Sequence, residues 1–97
     1  MKKYIANAFS LQMLAEVPAS INVEPCTKEE ALSKDNISVV GHPDTARVLG
    51  VPFNRVSVKV NKGDVVYVAQ VVGGRLPEGC TTLPEGLSMV FLKVTIG

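Results

Sequence analysis

The hydrophobic and polar positions alternate in short blocks along this chain, and the blocks change period often. Lys3 to Asn7 ("KYIAN") reads as a first, buried strand, and Ser20 to Glu24 ("SINVE") alternates as a second. Ile37 to Val40 is a brief apolar run. Arg55 to Val60 ("RVSVKV") alternates strictly, with Arg55, Ser57 and Lys59 on one face and three valines on the other. The turn "NKGD" then leads into "VVYVAQVV", so the pattern predicts a β-hairpin here. Ser88 to Ile96 ("SMVFLKVTI") supplies a last strand.

Helical signals are shorter. Ser10 is placed to cap a helix through Val17, with Leu11, Leu14 and Ala15 on one face and Pro18 at its end. Thr27 and Glu30 have capping-box spacing. The third helix is set by its punctuation. Pro43 suits a first turn, where its missing N–H costs nothing, and Gly50 suits the residue beyond the end. The helix therefore runs from about Pro43 to Leu49, with His42 at its start. The segment "GGRLPEGCTTLPEG" holds too much glycine and proline for regular structure and reads as a surface loop.

These elements predict one domain over residues 1–97, of α/β (α+β) class: a mixed sheet of about five strands carrying two or three short helices. Sixteen valines and no tryptophan lean it toward sheet. A chain of 97 residues buries only roughly 60–70% of its unfolded surface, yet 46% of its residues are apolar. Some of that surface is expected to lie against a second copy.

Charge and cysteines narrow the chemistry. A net charge of +1 argues against wrapping long DNA or RNA, whereas a compact anion needs only two or three well-placed cations. Cys26 and Cys80 lack paired spacing and there is one histidine, so no zinc set forms within one chain and no metal or cofactor is expected. Reduced thiols in the cytoplasm are the simplest reading. Asn7, Ser10 and Gln12 break the apolar start, which argues against a signal peptide, and no run is long enough to span a membrane.

The lone His42 sits where a helix start offers free N–H groups and a dipole worth about 0.3–1 kcal/mol to an anion. That dipole disfavours a proton on the ring, and a bound phosphate favours one. Arg75 lies on the glycine-hinged loop, and Arg55 could pair with Glu78 or clamp a phosphate. Gln70 is a polar residue in an apolar strand, and Asn7 and Ser10 follow the first strand, where sheet ligands tend to sit. No P-loop, G-x-S-x-G or G-x-G-x-x-G is present. One histidine and one or two arginines suffice for metal-free cleavage of RNA, in which the ribose 2′-oxygen attacks its own phosphate.

In order, "YIANAFSLQML", "GHPDT", "NRVSVKV" and "QVVGGRLPEG" resemble the viral ring nucleases, small type III anti-CRISPR proteins, over Lys3 to about Gly79. The resemblance implies a C2 homodimer that binds cyclic tetra-adenylate across its axis. It further implies cleavage to linear di-adenylates with 2′,3′-cyclic phosphates, which switches off type III CRISPR signalling in the host cytoplasm. It makes His42 the general acid, Arg75 a phosphate contact and Glu78 an orienting group of the active site. Asn7, Ser10, Met13, Arg55 and Gln70 align with positions that line or support the ligand site. Two departures stand out: relatives carry a longer acidic helix after "LPEG", and their usual "GHDST" is "GHPDT" here. The same fold could instead sequester a cyclic nucleotide, or bind a protein, without turnover.

Overall fold

The structure is a computed structural model that describes residues 1–97. Its centre is β4 (Val65–Val72), the "VVYVAQVV" run, whose first five residues are all buried. Such a run fits a strand covered on both faces and paired on both edges. On one edge lies β1 (Lys3–Ala6), parallel, with Lys3 opposite Val65 and Ala6 opposite Val68. On the other lies β5 (Ser88–Ile96), antiparallel, from Val65 opposite Thr95 to Val72 opposite Ser88. β2 (Ile21–Pro25) adds antiparallel to β5, and the two-residue β3 (Ile37–Ser38) adds parallel to β1. The order is β2-β5-β4-β1-β3, a mixed five-stranded sheet of α+β class as expected.

The hairpin expected between Arg55–Val60 and β4 does not form. β4 has two edges, and β1 and β5 occupy both, so no edge remains for a third partner. The true hairpin is β4–β5, joined by the long glycine-rich loop. Residues 55–59 carry no strand pairing and instead cross one face of the sheet. Val60 makes a bridge to Leu14, and its N–H donates to the Met13 carbonyl at 2.7 Å. The alternation survives only in part: Val60 is buried and Val58 half-buried, but Val56 is exposed. The "NKGD" turn is present, with Gly63 at φ +90°, and delivers the chain into β4.

The helix expected from Ser10 to Val17 shrinks to one 3-10 turn, Leu11–Met13, and the Ser10 side chain makes no capping bond. Leu14 instead bridges to Val60, whose N–H donates to the Met13 carbonyl and whose carbonyl accepts from the Ala15 N–H, which takes backbone groups a longer helix needs. The other two helices form. In α1 (Lys28–Ala31) the Thr27 hydroxyl accepts from the Glu30 N–H at 3.1 Å, and the Asn36 side-chain amide closes the far end on two carbonyls. In α2 (Pro43–Leu49), Gly50 ends the helix at φ +72°, a left-handed conformation that glycine adopts without strain.

Strand alternation sorts the core into two layers. Ile5, Val65, Tyr67 and Ala69 meet Ala31, Val40, Ala46 and Leu49 under the helices. Tyr4, Ala6, Val66, Val68 and Val94 face the other way, covered by Phe9, Met13, Leu14 and Val58 from the crossing loops. The cover on that second face is incomplete. Val23 is 56% exposed, Val72 45% and Val90 40%, and all three lie on it.

A buried carboxylate secures the start of β4. Asp64 accepts from the Lys2 N–H at 3.0 Å and the Asn61 N–H at 2.9 Å. Burial pushes its pKa up, but those two donors outweigh it and hold the group below the usual 3.8. A carboxyl depressed in this way adds stability that is complete above the unfolded value and is lost as pH falls through the native one. Asp64→Ala should therefore cost about 1–3 kcal/mol at neutral pH, because two backbone donors lose a charged acceptor. Urea unfolding should show that deficit narrowing below pH 3.8. An equal deficit at both pH values would contradict this role for the carboxylate.

Candidate functional site

Three strands of the sheet run parallel, β3, β1 and β4, so their carboxyl ends emerge at the same edge. β1 lies between the other two, and open sheets bind ligands beyond the carboxyl ends of such strands. Each strand delivers one polar group there. β1 ends into Asn7, β4 carries Gln70 near its end, and the residues after β3 lead to His42. The loop after β4 returns Arg75 to the same place. Asn7, His42, Thr45, Gln70 and Arg75 line one open cleft of about 510 Å³.

Local bonds fix these side chains. The Asn7 Oδ1 accepts from the Gly41 N–H at 3.2 Å, tying the end of β1 to the residue before His42. His42 caps α2: its Nδ1 accepts from the Thr45 N–H at 3.4 Å. In the neutral ring the proton then resides on Nε2, the nitrogen left free of the cap. Thr45 is buried and gave no signal in the sequence beyond its place three residues after the cap.

The helix start is not the anion cradle that its position led us to expect. Pro43 has no N–H, the Thr45 N–H goes to His42 Nδ1, and the Ala46 N–H goes to the His42 carbonyl at 3.0 Å. Asp44, moreover, places a carboxylate in that first turn. The positive charge in the cleft comes from Arg75 rather than from the helix.

The remaining expected residues divide. Ser10 and Met13 line an adjoining depression of about 380 Å³, on the face crossed by residues 56–59. Asn7 and Gln70 also border a third hollow with Phe9, Val23, Leu92 and Val94, so the polar cleft runs into the uncovered apolar face. Arg55 lies outside the cleft but beside its rim: a Cβ on Gly41 would stand 3.6 Å from the Arg55 Cγ. Glu78 is exposed on the loop and lines none of these hollows. The expected Arg55–Glu78 pair is absent; the ion pairs of the fold are Arg47–Asp44 and Lys93–Glu30.

Besides Thr45, Asp44 and Arg47 are polar residues near the site that sequence reasoning missed. The Asp44 side chain is only 10% exposed, bonded to Arg47, and accepts from the Gly79 N–H at 3.0 Å. That backbone donor first, and the guanidinium after it, hold its carboxyl below the usual aspartate range against the effect of burial. The Asp-x-x-Arg spacing on one helix face was the available signal. Cys26 and Cys80 are unpaired and half-buried, and burial raises the Cys26 thiol. No three His, Cys, Asp or Glu side chains converge as metal ligands, and no helix is long and apolar enough to cross a membrane.

No curated protein matches the chain. Among solved structures, B116 of Sulfolobus turreted icosahedral virus is similar, with a TM-score of 0.78 and 26% sequence identity. That match covers 98% of this chain and 99% of the viral protein. The STIV B116-like family model matches residues 3–93, and the chain belongs to that family.

Proposed function

We propose that this protein is a metal-independent ring nuclease that cleaves cyclic tetra-adenylate to linear di-adenylates bearing 2′,3′-cyclic phosphates. The observation that carries the reading is the cleft itself, where Asn7, His42, Gln70 and Arg75 meet from four separate segments. The resemblance of the four motifs to viral ring nucleases supplies the substrate class. Kinship with an archaeal-virus protein fits a role in disarming a host's defence from within its cytoplasm.

In this reading the ribose 2′-oxygen attacks its adjacent phosphorus, forming the 2′,3′-cyclic phosphate. The bond from phosphorus to the 5′-oxygen breaks, and His42 gives that oxygen a proton while the 2′-hydroxyl proton passes to solvent. The donor is the imidazolium. Phosphate binding brings a second proton to the ring at Nδ1, where it displaces the Thr45 bond. Nε2, free of the cap, gives its proton and leaves a neutral ring. Arg75 balances charge on the phosphate, where a cation in a fixed place lowers the barrier. Gln70 and Asn7 offer amides, which suit adenine edges.

A two-fold dimer suits a four-fold ring, because four-fold symmetry contains a two-fold. The exposed Val23, Val72 and Val90 share the sheet face of Gln70, next to the cleft. A second copy on that face would cover the valines and oppose two clefts, each facing one of two opposite phosphodiesters. The exposed place of Glu78, away from the cleft, favours a second reading in which the ring is held and not cut.

Purified protein incubated with cyclic tetra-adenylate in a chelator, with products resolved by chromatography, separates the two. Wild type should yield cyclic-phosphate di-adenylates, and His42→Ala should slow this about 10²–10⁴-fold with affinity retained. Equal rates would remove His42 from the chemistry; tight binding without products would favour sequestration. Arg75→Ala should weaken binding as well as rate, because it removes the phosphate cation. Val90→Lys should shift the sedimenting species from dimer to monomer and abolish turnover; an unchanged dimer would place the interface elsewhere.

A further inference from the structure

The loop that carries Arg75 has little to hold it. From Gly73 to Leu87 it contains no helix or strand, and its second half lines an open, mainly apolar hollow of about 470 Å³. Leu83 and Leu87 line that hollow from the loop, and Val48, Leu49 and Phe91 from the body. Inside the loop, Cys80 N–H donates to the Pro77 carbonyl at 3.2 Å, closing a tight turn with Gly79 at φ +79°. Two hydrogen bonds tie this turn to the rest of the fold, and both end on α2. The Gly79 N–H donates to Asp44 Oδ1 at 3.0 Å, and Arg47 Nε donates to the Cys80 carbonyl at 3.4 Å. Arg47 also pairs with Asp44, so the two side chains and the turn form one closed polar cluster.

The placement gives this cluster a consequence. Asp44 stands two residues after His42 and Gly79 four residues after Arg75, so the same contact fixes both cleft residues relative to one another. We propose that Asp44 and Arg47 are positioning residues that latch the Gly73–Leu87 loop onto α2 and so hold Arg75 over the cleft beside His42. Neither touches the reacting atoms. The functional half of this inference rests on the ring-nuclease reading; the mechanical half does not. Charge assistance suits the task, since a carboxylate accepts a backbone N–H more strongly than a neutral amide does. A latch of two hydrogen bonds on a loop without helix or strand also leaves it free to open for a ring to enter and leave, as loops over ligands commonly do.

Amide hydrogen exchange tests the latch directly. Asp44→Asn keeps an oxygen for Gly79 but loses the charge, and Arg47→Ala removes the guanidinium while leaving Asp44 in place. Both should speed exchange at Gly79 and Cys80 by roughly tenfold or more, while Val66 and Val68 in β4 keep their protection. Arg47→Lys, which retains the cation, should restore part of it. Binding and cleavage of cyclic tetra-adenylate by the same variants give the second readout. Affinity should fall in both variants, and Arg75→Ala should cost less in the Asp44→Asn background than alone, because the loop is already loose.

Unchanged exchange at Gly79 would overturn the latch, as would a uniform rise across β4, which would mean general destabilisation. Loosened exchange with ring affinity intact would overturn the positioning of Arg75. If wild type neither binds nor cuts the ring, the functional reading falls, and the exchange result still decides whether the latch exists.

Discussion

The constraint on which the rest of the molecule depends is that β4 is paired on both edges over Val65–Val68, parallel to β1 and antiparallel to β5, which continues alone to Val72. A strand with "VVYVAQVV" has no polar side to turn to water except at Gln70, so its stability requires cover on both faces as well. Helices provide that on one face. On the other, two irregular segments around Met13 and Val58 do so, held to each other by backbone bonds. The parallel half of the sheet then sends the ends of β1, β3 and β4 to a single edge. That is why Asn7, His42 and Gln70, scattered through the sequence, come within one cleft.

Much of this was legible in the sequence because local signals and tertiary demands agree. The proline–glycine bracket around α2 gave its limits, and Thr27 caps α1 as its spacing implied. The strands β1, β2, β4 and β5 followed from apolar runs and alternation. What failed shared one cause. Alternation in "RVSVKV" shows that one side of an extended segment is apolar, and it cannot show whether a strand edge is free to receive it. Likewise the Ser10 signal was local, whereas the pairing of Met13 with Val60, which displaced the helix, joins residues far apart in the chain.

The candidate site was legible in its members and less so in its electrostatics. Asn7, His42, Gln70 and Arg75 gather as the sequence reading required, while Arg55 stands at the rim and Glu78 lies outside. A helix of seven residues that begins with proline, and caps itself with histidine, has few N–H groups left to offer. Asp44 then makes that turn a poor place for an anion unless its charge is engaged elsewhere. It is engaged, by Arg47 and by the Gly79 N–H. The residue that would have opposed a phosphate at the helix start thus binds the loop that brings a cation instead.

That exchange of roles bears on the shortness of the loop. After the first glycine turn only "CTTLPEGL" precedes β5. Those residues line an apolar hollow rather than form a helix or strand. A polar contact made by two residues already on α2 needs no added length, and it acts at the turn nearest Arg75. The apolar face beside the cleft is a separate matter, because Val23, Val72 and Val90 belong to rigid strands and not to the loop. A rigid surface for a second copy and a tethered loop over the cleft divide two tasks between two parts of the fold. The sheet can fix the spacing of two clefts while each loop remains free to yield to its own ligand.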